Sequence, residues 1–372
     1  MSASTAKDAR WMARALELAA RGRGLTSPNP MVGAVVVADG QAVGEGFHAA
    51  AGSPHAEIVA LAAAGARARG ATLYVTLEPC NHQGRTPPCA PAVAAAGVAR
   101  VVAAARDLNP RVRGGGADTL RAAGISVTLG TLEEAARALN RAFFTAASRL
   151  RPHVTLKAAM TLDGKIAAHD GTSRWITGET ARAEAHRLRS ESDAVVVGIG
   201  TALADDPALD VRLDRPWPRE PWRVVVDSRA RLPVTARVIG AGTPARALVA
   251  VTDAAPADRV AALETRGVTV LHCKSAGGRV DLADLAVRLH GLDVIAALVE
   301  GGADLAAGFL GADLVDRVAF FVAPRLLGGA TAPTPLGGPG RALADAVPLA
   351  AMTVRPVGGD WLVEADVVRR SA

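Results

Sequence analysis

His55, Glu57, Cys80 and Cys89 put an imidazole, a carboxylate and two thiols within one short stretch of the 372-residue chain. One imidazole nitrogen and two thiolates make three ligands for a zinc ion, and zinc sites that do chemistry keep the fourth position for water. Glu57, two residues beyond His55, is close enough to such a water to carry its proton without being a ligand. As general base it would take that proton and return it to a departing amine. A closed structural site with His82 as fourth ligand is the alternative these residues leave open.

The elements that must position this set can be read around it. His55 to Ala68 and Pro88 to Ala96 have helical patterns, whereas Thr72 to Leu77 and Val101 to Ala105 read as strands. His55 and Cys89 therefore fall at helix starts and Cys80 just after a strand. Free N–H groups and the positive dipole end at a helix N-terminus favour thiolate over thiol. Trp11, Ala15, Leu18 and Ala19 mark an earlier helix that stops at Gly22 and Gly24. Met31 to Ala38 turns at Asp39-Gly40 and runs on to His48 as a hairpin. One further helix is expected over 132–147. The alternation makes this half an α/β layer structure.

Ser148 to Pro152 is the expected boundary, dividing the chain into domains 1–148 and 152–372. Strands then follow at Val154 to Ala159, Ala194 to Ile199, Arg223 to Val226, Ala247 to Val251, Val268 to Leu271, Ile295 to Val299 and Val318 to Val322. The Gly/Pro-rich run Leu326 to Gly340 reads as a loop. The formal charge of +6 lies entirely in residues 1–150, with 16 basic and 10 acidic side chains. That excess suits a phosphorylated substrate. There is no dense basic run interleaved with aromatics, so nucleic acid is not the expected partner. No apolar run reaches membrane-span length. Charged residues from Lys7 to Glu17 interrupt the N-terminal segment, which lacks a signal-peptide pattern, so a cytoplasmic location is expected. Three cysteines make no disulfide framework, and Cys273 reads as a buried thiol.

His-x-Glu, then Pro79-Cys80, then Cys89 is the arrangement of zinc deaminases. The sequence resembles the cytidine deaminase-like superfamily, and more narrowly the bifunctional deaminase/reductases of riboflavin biosynthesis. Eight residues, Asn81 to Pro88, separate the cysteines where nucleic-acid deaminases have two. That gap, Thr76-Leu77-Glu78-Pro79-Cys80, Gly84-Arg85-Thr86-Pro87-Pro88-Cys89 and Pro28-Asn29-Pro30-Met31-Val32-Gly33 carry the narrower resemblance. It implies a cytidine deaminase-like α/β/α domain in which His55, Cys80 and Cys89 hold zinc and Glu57 is catalytic. Asn29, Arg85 and Thr86 are candidate substrate contacts, and for Arg85 a plain surface role stands beside this. A deaminase of RNA or free bases is the alternative activity.

The second half resembles the family's reductase domain, of dihydrofolate reductase-like α/β fold. Lys157 to Lys165, Ser173 to Thr177, Thr201 to Pro207 and Val299-Glu300-Gly301-Gly302 carry that likeness. It implies NADPH contacts from Ala159, Trp175, Thr201, Asp205, Ser228 and Gly302. Substrate contacts would come from Lys157, Ser173, Arg189, Leu209, Arg212 and Glu300. A guanidinium suits a ribose phosphate, although an arginine can equally be a solvated ion-pair partner, and Trp175 could be core. The whole implies deamination of a phosphorylated pyrimidine followed by NADPH reduction of its ribosyl group to ribityl, in a possible homo-oligomer.

Overall fold

The computed structural model describes residues 3–84, 86–109 and 115–369, apart from the side chains of residues 3–5 and of Pro244. The chain falls into two compact units, Met1–Leu150 and Arg151–Ala372. In the first, β1 (Gly33–Ala38) and β2 (Gln41–Phe47) form the expected hairpin. Asp39 and Gly40 at its tip both have positive φ, as the twist of a tight hairpin requires. With β3 (Thr72–Leu77), β4 (Arg100–Ala105) and β5 (Ser126–Leu129) they make a sheet of order β2-β1-β3-β4-β5. β3, β4 and β5 run parallel, and β1 is antiparallel to both neighbours.

The central strands are almost continuously apolar, because both faces of the sheet are covered. Helix α1 (Ala3–Ala20) packs Trp11, Met12 and Leu18 against Val35, Tyr74 and Val102 on one face. On the other, α2 (Ala56–Ala64), α3 (Cys89–Ala95) and α4 (Gly116–Ala122) bring Ala60, Val93 and Leu120 onto Val36, Leu73 and Val101. The helix expected over 132–147 is instead two, α5 (Glu133–Leu139) and α6 (Arg141–Arg149). Asn140 breaks it: its buried amide accepts from Met31 N and donates to Met31 O, both at 2.8 Å. One side chain thereby replaces a strand partner and fixes the segment that carries Asn29.

Helix α2, which starts just after His55 and contains Glu57, lies almost on the backbone of β2. A Cβ at Gly46 would stand 2.5 Å from Ala56 O and 2.6 Å from Ala60 N, and one at Gly44 2.2 Å from Ala60 O. Gly46→Val is therefore expected to push α2 outward and to cost about 3 kcal/mol or more, since the atoms met are backbone that cannot give way. Denaturant unfolding and zinc content should fall together; a variant that keeps both would show that helix–strand contact to be loose.

In the second unit the strands are β6 (His153–Thr161), β7 (Ala194–Gly198), β8 (Trp222–Val226), β9 (Ala247–Val251) and β10 (Thr269–His272). A two-stranded ribbon, β11 (Ser275–Ala276) and β12 (Arg279–Val280), comes next. The rest are β13 (Ala296–Gly301), β14 (Val315–Ala323), β15 (Leu349–Val357) and β16 (Asp360–Val367). The large sheet has the order β10-β9-β8-β7-β13-β6-β14-β16-β15. It is parallel from β10 to β14, and the β15–β16 hairpin closes it antiparallel. Two apolar layers cover its faces, one around Leu285, Leu289, Phe309 and Val299, the other around Val195, Val225, Val249 and Leu263. The hairpin was not anticipated, and residues 326–340 form a loop without helix or strand, as expected. Cys273 is buried, as expected.

Candidate active sites

Each predicted zinc ligand sits where a chain element ends or begins. His55 is the extended residue capping α2, Cys89 is the first residue of α3, and Cys80 follows β3. His55 Nδ1 lies 3.1 Å from Cys89 Sγ and 3.6 Å from Cys80 Sγ. The three donor atoms lie within 4.8 Å of one another. Tetrahedral zinc with ordinary Zn–N and Zn–S bonds holds its ligand atoms about 3.5 Å apart, so this donor set fits that ion. Cys89 N donates to Cys80 Sγ at 3.4 Å. The Cys89 thiol, with His55 beside it, holds the Cys80 thiol well below its ordinary range against the effect of burial. His82 is not in the cluster. The far nitrogen of His55 lies 3.0 Å from Thr86 Oγ1, a contact that sets the ring's orientation and leaves Nδ1 to the metal.

Glu57, in the first turn of α2, is buried. Burial drives its carboxyl above the ordinary range, with its own backbone N–H and His55 pulling the other way. A carboxyl poised nearer neutrality can both take and give a proton. Asn29 Nδ2 donates to His48 Nε2 at 3.1 Å, and His48 Nδ1 donates to Pro54 O at 3.2 Å. Those contacts fix the tautomer of His48, which burial keeps neutral, and hold the Asn29 amide in one orientation. The His48 and His55 rings meet edge to face, 5.4 Å apart. Arg85 lies outside the described residues.

Asp107 was missed in the sequence. It is held beside Glu78 and His82, and burial, with Glu78 nearby, pushes its carboxyl up to about 6. Glu78 accepts from Asp107 N and Ala117 N, tying the loop after β4 and the start of α4 to the Cys80 segment. The run Ala104 to Asn109 has no motif that marks it, but an acid directly after a parallel strand is a usable signal.

In the second unit Glu300, near the end of β13, is the focus. Arg189 of α7 (Glu179–Ser190) grips its carboxylate twice, at 2.8 and 2.7 Å, and Lys157 Nζ of β6 stands at 4.0 Å. Burial opposes ionisation, but Arg189 and Lys157 overcome it and hold Glu300 at about 2. Burial pushes Lys157 down, with Glu300 resisting. Arg189 is thus already paired, whereas the Arg212 side chain is 64% exposed with Nε 3.5 Å from Asp210 Oδ1. Leu209 is buried, at positive φ.

Of the expected NADPH contacts, Thr201 lies in α8 (Ile199–Asp205) and packs on the β13 end, where a Cβ at Gly301 would stand 3.1 Å from it. Gly302, with φ +87, caps the next helix, Ala303–Gly311. Asp205 ends α8 and pairs with Arg174. Trp175 is 62% exposed, so it is not core, and Arg182 stacks 4.5 Å from its ring. Ser228 follows β8, and its Oγ accepts from Val280 N at 3.0 Å. Ala159 is half-buried on β6 opposite Phe321, and Ser173 is half-buried in a loop. Thr201, Asp205, Ser228 and Gly302 follow the C-terminal ends of parallel strands, where open α/β sheets bind ligands.

A zinc-type donor set beside a buried glutamate in one unit, and Thr201, Asp205, Ser228 and Gly302 gathered after the parallel strands of the other, are the arrangement of a two-domain deaminase/reductase. The cytidine and deoxycytidylate deaminase zinc-binding region matches residues 5–105, and the RibD C-terminal domain matches residues 152–363. The riboflavin biosynthesis protein RibD of Aquifex aeolicus (strain VF5) is 44% identical over 321 residues, 86% of this chain and 88% of that one. Acinetobacter baumannii RibD, form 1, superposes with TM-score 0.90 at 40% identity, covering 98% of this chain and all of the other. A Thermotoga maritima structure is also similar, with TM-score 0.83, 36% identity and coverage of 98% and 100%. That protein is described as a diaminohydroxyphosphoribosylaminopyrimidine deaminase/5-amino-6-(5-phosphoribosylamino)uracil reductase. The chain belongs to the RibD family, bifunctional zinc deaminases and NADPH-dependent reductases of riboflavin biosynthesis.

Proposed function

We propose that residues 1–148 deaminate 2,5-diamino-6-(5-phosphoribosylamino)pyrimidin-4-one and that residues 152–372 reduce the resulting 5-amino-6-(5-phosphoribosylamino)uracil. The observation that carries the first step is the close approach of His55, Cys80 and Cys89 at the start of the helix holding buried Glu57. Zinc, when bound, lowers the pKa of a water in its open position. Glu57 would take a proton from the attacking water and return it to the leaving amine, so that the ring gains a carbonyl oxygen and ammonia departs. Asn29, held by His48, offers its amide to the ring edge. Thr86 steadies His55, and Arg85 is the candidate for the phosphate.

For the second step NADPH supplies a hydride, and a proton completes conversion of the ribosyl group to ribityl. The Gly302 turn and Thr201 would cradle the dinucleotide, with Ala159, Trp175, Asp205 and Ser228 around it. Glu300, Lys157, Ser173, Leu209, Arg189 and Arg212 would face the substrate, the exposed guanidinium of Arg212 meeting the phosphate. Among the described residues no helix is long and apolar enough to cross a membrane. Cytoplasmic location, assembly into homo-oligomers and indifference to nucleic acid belong to this proposal.

Metal removal separates the two activities. Chelator-treated protein, supplied with each intermediate in turn, should release no ammonia yet still consume NADPH with the deaminated compound, and added zinc should restore the first step. Ammonia release that survives loss of zinc would overturn the metal's role, no ammonia release from zinc-loaded protein the deaminase assignment, and no NADPH consumption the reductase one.

A further inference from the structure

Two side chains of α7 reach the same short segment. One turn before Arg189, His186 Nδ1 accepts the backbone N–H of Arg212 at 3.1 Å, while Arg189 donates to Asp210 O at 2.9 Å. Just before these anchors Leu209 is buried with φ +54, a conformation that a branched side chain adopts only when its surroundings impose it. The Arg212 guanidinium, in contrast, reaches solvent and pairs with Asp210 at 3.5 Å. A cation that must find a phosphate gains little from its charge if its backbone wanders, because long side chains lose entropy on every docking.

We propose that His186 is a positioning residue for the reductase substrate, a neutral latch that fixes the Arg212 backbone so that its guanidinium points at the incoming phosphate. The inference rests on the reading of Arg212 as a phosphate contact. His186 is suited to the task because its Nδ1 must carry a lone pair. Arg189, Arg212, Asp210 and Glu300 are the charged groups around it; burial, with the two guanidiniums, pushes its pKa down to about 4. A lysine or arginine here could not accept, and an apolar residue would leave the Arg212 N–H without its partner.

Steady-state reductase kinetics of full-length His186→Leu, His186→Gln and Arg212→Gln test this. His186→Leu should raise KM for the phosphorylated substrate about tenfold, the worth of one such hydrogen bond, with kcat within about threefold and KM for NADPH unchanged. His186→Gln, which restores a neutral acceptor, should return KM to within about threefold of the parent. The unchanged KM for NADPH in the His186 variants controls for folding of the second unit. If Arg212→Gln raises KM and His186→Leu does not, the latch is wrong and the Arg212 reading stands. If Arg212→Gln leaves KM untouched, that reading falls and the latch with it. Equal damage in the Leu and Gln variants, or a loss confined to kcat, would also overturn the latch.

Discussion

Glu57→Gln protein is expected to release ammonia about a thousandfold more slowly than the parent, while reducing the deaminated intermediate at the parent's rate. The amide keeps the shape of the carboxyl, so the packing of α2 against β2 is undisturbed. It cannot take the water's proton or return one to the amine, and those are the two tasks the mechanism asks of this position. The proposed zinc donors are His55, Cys80 and Cys89, so metal content should stay at the parent's level. Stability should hold or rise slightly, because the buried carboxyl disfavours its own charge. Single-turnover ammonia release with metal analysis on the same sample decides the matter. Near-parental deamination with full zinc would mean that another group, with half-buried Asp107 the first to examine, carries the proton.

Glu300→Gln should abolish most of the reductase activity and destabilise the second unit by about 3 kcal/mol, the usual cost of removing one partner from a buried ion pair. The change leaves the buried Arg189 and Lys157 charges with no carboxylate between them. The pH dependence gives an independent check. Glu300 is held at about 2 in the folded protein, below the roughly 4.3 of an unfolded glutamate. Its contribution is therefore fully present above about pH 4.5 and disappears as the pH falls to 2. The parent's denaturation curves should show that acid loss and the variant's should lack it. Parallel curves across this range would show that the pair contributes nothing to stability.

That His55, Cys80 and Cys89 come together beside Glu57 was readable because both ligand chemistry and chain order constrain them: a histidine and a cysteine at helix starts, another cysteine after a strand. The strands that carry them were readable because two-sided burial makes them apolar runs, as at Thr72 to Leu77. What escaped depends on contacts across the sequence. Asn140 breaks a helix only because Met31 lies opposite it, 109 residues away. The β15–β16 hairpin escaped because β15 is exposed along most of its length and has no buried face to impose alternation. Gly358-Gly359 was its one local signal. Likewise the double hold of Arg189 on Glu300 joins residues 111 apart, so no local pattern shows it. His186 and Asp107 acquire meaning only from neighbours that no local pattern reveals.

The buried contact that anchors α1 gives the molecule an optical asymmetry. The chain has a single tyrosine, Tyr74, whose hydroxyl donates to Asp8 at 2.9 Å while Arg100 grips the same carboxylate. Burial, reinforced by Asp8, pushes the phenol up to about 12. Phenolate absorbance therefore reports on the deaminase unit alone, appearing near its normal pH only when α1 has come away from β3. The same unit holds one tryptophan, Trp11, against four in the other: Trp175, Trp217, Trp222 and Trp361. Ultraviolet absorbance and fluorescence thus separate the melting of the two halves without a label, in the intact chain.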